Sequence, residues 1–509
     1  MAEQKKNTPT QKTFPLDIVG SSTYGRDPKV MASRTFNMIT ADGWLVDYAG
    51  YKKVLDIAPQ GVGRGLFNSI RSNRLIIVIS NKVYSVGVYS TSNGDNRSYT
   101  TKLVGTLNSY SGDVFIDENI NNQIAICDKH EIYIYNYVDG SFTLATLPIG
   151  FIPGYVRYQD GYFIAPNLVS SQWALSAINN GLNWFWNAAT GGAVLGALQT
   201  KADYVKAAFP MPGKGNLLLV MGNLVTELWT NVGGAVFPYQ RSFSLNIDYG
   251  CINSATIAAS DTIVAWLGAN EKSGAVIMFT TGADIQQISS DGINYRFSKL
   301  KNPEKSVGFF MKLSGHLLYQ LTFYDPKDNY TVVYDFTDQK FYDATDENMN
   351  YHIARKVAFF NNEYYFVSLN DGNLYQMSDN LFNFDYGYFT DGSPKVYEMP
   401  RVRVSSNMRT ANQNRFSINN VTFTLEQGSD IQNDNNDPNY FPGIDMSMSK
   451  NGGISYGSYS CRKPIYKIGK RENRLNWWRL GVANDLVLQF RFFGKGAWRA
   501  TNGEVNILQ

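Results

Sequence analysis

Short apolar runs, broken at close intervals by Gly, Asn, Asp and Ser, dominate this chain. The rhythm is clearest between Asp203 and Leu300. LLLVMG, LVTELW and VFPYQRSF follow one another across turns at Asn223 and at Asn231 to Gly234. SATIAAS, TIVAWLG, AVIMFTT and DIQQIS come next, with breaks at Ser260-Asp261, Ala269 to Gly274, and Gly282. Runs this short, bounded by turn-forming residues, predict strands rather than helices. Four strands in about forty residues is the repeat of a β-propeller blade.

The same punctuation recurs on both sides. Arg74 to Leu107, Asp113 to Leu147 and Tyr155 to Trp186 each supply three or four strands, with Asn93-Gly94-Asp95 and Asp139-Gly140 as hairpin turns. Val307 to Tyr342 and Ile353 to Phe384 repeat the pattern. Seven blocks at a spacing of about 45 residues give seven blades; six blades plus an insertion is the alternative count. One four-stranded sheet cannot bury both of its faces, and radial stacking covers each blade with its neighbours. On this reading Trp229 and Trp266 are core residues. The weakest fit is residues 188–206, read as a short helix or an extended insertion.

After Pro400 the strands lengthen and alternate cleanly, as in FSINNVTFTLEQG, RLNWWRLGVA and LVLQFRFFG. They predict an antiparallel β-sandwich or barrel. The expected organisation is a disordered arm over residues 1–13 and an irregular N-terminal segment over 14–60. A β-propeller over 61–395 and a C-terminal β domain over 396–509 follow. The fold class is all-β.

Composition adds detail. Aromatic residues make up 14%, with 33 Tyr and 30 Phe, a bias that suits pleated sheets. Charged residues are only 17%, below the usual quarter, which fits a subunit that buries much of its exterior against neighbours. A net charge of +3 is far from the strongly basic face of a dedicated nucleic-acid binder, although the basic residues gather toward the C-terminal region. Three cysteines, Cys127, Cys251 and Cys461, lie far apart and give neither a disulfide framework nor metal-ligand spacing. No signal region and no membrane-length apolar run is present, so synthesis in a host cytoplasm and no membrane partner are expected.

Candidate chemistry is sparse. Gly61-Val62-Gly63-Arg64-Gly65 precedes strands rather than a helix, so it reads as a turn and not a phosphate loop. His130, His316 and His352 stand without a nucleophile elbow, and Glu227 and Asp261 lack an acid–base partner. Asp430 to Asp437 departs from the phase of a calcium loop. Ser449-Lys450-Asn451-Gly452-Gly453 resembles a sialidase Asp-box turn without the Asp. No catalytic, cofactor or metal residues are expected. One stretch suits a phosphate backbone: Cys461 to Arg479 interleaves basic and aromatic residues. The competing reading pairs Lys467, Arg471 and Arg479 with a neighbouring subunit, while Trp477 and Trp478 alternate between core and interface.

Particular motifs resemble a known family. Glu227-Leu228-Trp229, Phe237-Pro238-Tyr239, Gly250-Cys251 and Trp266-Leu267-Gly268 look like the tail hub, or packaged-DNA stabilisation, proteins of short-tailed phages. Phe36-Asn37-Met38, SKNGGISYG and Trp478-Arg479-Leu480-Gly481 extend the resemblance, although the family has Pro-Gly where this chain has Ala49-Gly50. The resemblance implies a structural, non-enzymatic subunit of a virion tail: a nozzle-like hub ring of six copies below the portal and adaptor. Such a ring retains packaged DNA, lines part of the ejection channel with transient non-specific DNA contact, and carries a distal needle or receptor-binding fibres. The alternative is a propeller glycan binder or tail-associated glycosidase, which predicts an arginine-lined central pocket. An intracellular scaffold of the WD type lacks its repeated Trp-Asp marks.

Overall fold

The computed structural model describes residues 11–26, 32–90, 97–282, 285–410, 412, 414–426, 443–462, 472–494 and 498–508. Antiparallel hairpins build it almost throughout. Blade one is Gly63–Ser69, Arg74–Ile79, Lys82–Ser90 and Arg97–Thr106. Blade two is Phe115–Glu118, Gln123–Cys127, Ile132–Asn136 and Phe142–Leu144. Blade three is Arg157–Gln159, Tyr162–Pro166, Gln172–Leu175 and Val194–Ala197. Blade four is Val205–Pro210, Leu217–Gly222, Thr226–Asn231 and Tyr239–Ile247. Blade five starts in two pieces, Gly250–Cys251 and Ala258–Ser260, and continues through Ile263–Ala269, Val276–Thr280 and Ile285–Gln287. Blade six is Ser306–Leu313, His316–Asp325, Asp328–Asp335 and Lys340–Ala344.

Blade seven draws only three strands from its own block, Ala354–Phe360, Glu363–Ser368 and Asn373–Ser378. Its fourth is Gly50–Asp56, antiparallel to Asn373–Ser378. The inner strand of blade seven in turn lies against that of blade one, which closes a seven-bladed ring.

Residues 14–60, expected to be irregular, therefore carry structure. Gln11–Leu16 pairs with Arg499–Leu508, so residues 11–13 of the expected arm are strand, while 1–10 lie outside the described residues. Arg34–Phe36 runs parallel to the edge of blade six and antiparallel to Arg401–Val404, and a single sheet passes from blade six into the C-terminal strands. The reason is an edge rule: an outer propeller strand exposes unpaired backbone groups, and these N-terminal strands satisfy them. Two facing sheets then form a sandwich around Phe416, Phe423, Trp477, Leu488 and Phe490, with Leu16, Met38 and Leu45 supplied by the N-terminal segment. The C-terminal region is thus completed by the first fifty residues rather than standing apart.

Two further expectations are corrected. Residues 188–206 hold no helix; Val194–Ala197 is the outer strand of blade three, disguised by a Gly- and Ala-rich sequence. The Gly61–Gly65 turn ends early, since Gly63 already begins the inner strand of blade one. The one α-helix among the described residues, Asp291–Phe297, was not anticipated. Its Ser290 side chain accepts from the Ile293 amide, and Gly292 admits the Tyr24 carbonyl, which a Cβ would meet at 1.6 Å.

Candidate functional site at the propeller axis

Inner strands bring polar groups from several blades to the ring centre. Arg355 of blade seven donates to Asp113, which immediately precedes blade two, at 2.8 Å, and to the Gly63 carbonyl of blade one at 3.2 Å. Lys129, in a turn of blade two, reaches Asp113 at 3.1 Å and Asn253 of blade five at 3.2 Å. Lys356 of blade seven donates to the Ala255 carbonyl of blade five at 2.9 Å. Arg157 of blade three lies 3.8 Å from Asp117 and packs over the rings of Tyr155 and Phe209. Residues of blades two, five and seven therefore meet across the axis, which side chains fill.

The electrostatics follow from burial. Desolvation alone raises the Asp113 carboxyl, but Arg355 and Lys129 overcome it and hold the group well below the usual carboxylate range. Burial pushes the Lys356 ammonium down to about 8. Asp117 is raised, because burial outweighs its contact with Arg157. Both axial arginines spend their charge on carboxylates and aromatic faces. That is a structural network rather than the open guanidinium cluster of a glycosidase pocket.

Other residues singled out in the sequence lie elsewhere. Glu227 is fully buried and accepts from the Gln199 and Thr200 amides at 2.8 and 2.6 Å and from the Trp229 indole at 3.0 Å. It is an anchor for a loop of blade four. Asp261 sits exposed in a hairpin turn and pairs with Lys312 at 2.8 Å. His130 is exposed, His352 is buried among aromatic rings, and His316 bonds Asp335 at 2.6 Å. His316, Asp335 and Asp338 form one acidic group in blade six, and each member already has a protein partner. Cys127 and Cys251 are buried, and burial pushes both thiols up to about 12.

In the sandwich, Trp477 is buried and stacks on Phe423, whereas Trp478 is 57% exposed. The register slips between Ile418 and Asn420, and Arg479 takes a left-handed φ of 58°. This bulge presents Trp478 and Arg479 together on the surface. Lys467, Arg471 and the loop Asp430 to Asp437 lie outside the described residues.

The family described as Bacteriophage P22 Gp10, beta-propeller, matches residues 25–381, more than half of the chain. The chain belongs to that family. The Gp10 match begins before the propeller and ends just after the third strand of blade seven, so it includes the closing strand Gly50–Asp56. Membership makes the protein a structural phage tail protein. No curated protein sequence matches it. Among solved structures it is similar to the extracellular domain of a one-component system from B. thetaiotaomicron, with 12% identity and a TM-score of 0.41. That similarity covers 72% of this chain and 44% of the other, less than half its length. A chain of the Mitotic Checkpoint Complex gives 11% identity and a TM-score of 0.38, covering 74% of this chain and 96% of that one. The N-terminal domain of Nup159 gives 10% identity and 0.39, with 68% and 99% covered. Among the described residues no helix is long and apolar enough to cross a membrane.

Proposed function

We propose that the protein is a subunit of a hub ring of six copies in the phage tail, placed below the portal and adaptor, with no enzymatic turnover. The ring retains packaged DNA, forms part of the ejection channel and carries the distal needle or fibres. The family match across residues 25–381 carries this reading. The filled propeller axis sharpens it: DNA has no path through one propeller, so the channel lies between copies. The sheet that runs from blade six into the sandwich supports the same role, because it makes the subunit a stiff spacer rather than two modules on a hinge.

Electron microscopy of particles assembled with and without the protein tests this. Filled heads should lose their DNA when it is omitted, and hub density should vanish. Heads that stay full, with tails unchanged, would overturn the proposal. The glycosidase alternative predicts sugar release from polysaccharide, and the paired axial arginines speak against it.

A further inference from the structure

Blades one and two splay apart at the propeller perimeter and leave a concavity of about 630 Å³. Strand alternation explains its chemistry. One face of blade one buries Ile76 against Ile124, Ile126 and Tyr135 of blade two. Farther out the same face becomes polar, with Arg74, Ser85, Tyr89, Thr100 and Lys102, while Arg71 projects from the adjoining turn. No carboxylate lines the cleft among the described residues, in contrast to the axis, where each arginine is neutralised.

The cleft is also built. Arg74 donates to the Tyr89 hydroxyl at 3.1 Å and reaches Thr100 Oγ1 at 3.4 Å. All three groups fold over Gly87, where a Cβ would stand 2.8 Å from each of them. A glycine at that position lets a guanidinium lie against the sheet with its remaining donors directed outward.

We propose that this cleft binds an acidic sugar unit, carboxylated or phosphorylated, of a polysaccharide. Converging cations supply charge-assisted hydrogen bonds to the acid group. Ser and Thr hydroxyls with an exposed Tyr89 ring suit a hydroxyl-rich, puckered ligand. Duplex DNA is disfavoured by shape, since the cations gather in one hollow instead of tracking along a backbone.

The test is calorimetric titration of the full chain with trigalacturonate, glucose 6-phosphate, uncharged maltotriose and a short DNA duplex. Either charged sugar should bind, its identity naming the acid group, and maltotriose should not. Arg71→Glu/Lys102→Glu, at two exposed positions, should weaken binding by about tenfold or more while melting stays unchanged. Gly87→Ala should weaken it without altering charge. Absence of binding by both charged sugars, or equal binding by the double variant, would overturn the assignment. So would tighter binding of the duplex with the same dependence on Arg71 and Lys102.

Discussion

His352 lies fully buried beside blade seven, edge-on to Tyr48 and Tyr51, and its Nε2 has no hydrogen-bond partner among the described residues. Desolvation lowers its pKa from 6.5 to about 3. The unfolded chain therefore binds a proton that the folded chain refuses between those two values, and stability falls as pH drops from about 6.5 towards 3. The loss should approach about 1.4 kcal/mol per pH unit. Urea midpoints measured against pH should show this slope in the wild type and a flatter one in His352→Phe. Trp266 is also fully enclosed, its indole donating to the Gly250 carbonyl at 3.0 Å, so Trp266→Ala should cost about 3–5 kcal/mol in equilibrium unfolding. Arg355→Met leaves Asp113 buried with Lys129 as its remaining ion-pair contact among the described residues, and a loss of about 3 kcal/mol is expected in the same assay. Trp478 predicts the opposite pairing of effects. Trp478→Ala should leave melting unchanged and weaken the proposed ring assembly, read by sedimentation, because the side chain is exposed on a bulge.

At the scale of elements, Gly50–Asp56 has the largest leverage. It lies between Asn373–Ser378 and the parallel strand Asn383–Tyr388, and Tyr51 stacks on Phe384 with ring centroids 4.4 Å apart. Lys52→Pro removes a backbone donor from a doubly paired strand and leaves its ladder acceptor unsatisfied, a change that should cost about 1–3 kcal/mol. Hydrogen exchange should then accelerate in blades seven and one, on either side of the closure, before it does in blade four. Uniform exchange across all blades would argue against a local seam.

The whole molecule shows which parts of such a fold a sequence declares. Hairpins were legible wherever turn chemistry sat between apolar runs, as at Asp139-Gly140 between Ile132–Asn136 and Phe142–Leu144. The seven-blade reading rested on those local signals. Closure was not legible, because Asn373 pairs with Asp56 and no local pattern marks a partner so distant. The axial network was missed for the same reason: Asp113, Arg355 and Lys129 look like ordinary surface charges until the ring brings them together. Trp229 and Trp266 were readable as core, since each lies in a long apolar strand. The basic–aromatic stretch resolved only in part, into buried Trp477 and exposed Trp478.

The meeting of distant segments also sets a timetable. Gly50–Asp56 leaves the ribosome early and must wait for Asn373–Ser378, while Gln11–Leu16 waits for Arg499–Leu508. Neither the ring nor the sandwich can close on a partial chain, so the first strands stay unpaired through most of synthesis. Chains stalled before residue 370 should be cut readily near residues 50–56 by added protease, and chains carried past residue 380 should resist at that site. A tail protein made this way becomes competent for assembly only when its last strand arrives, which would keep unfinished copies out of the proposed ring.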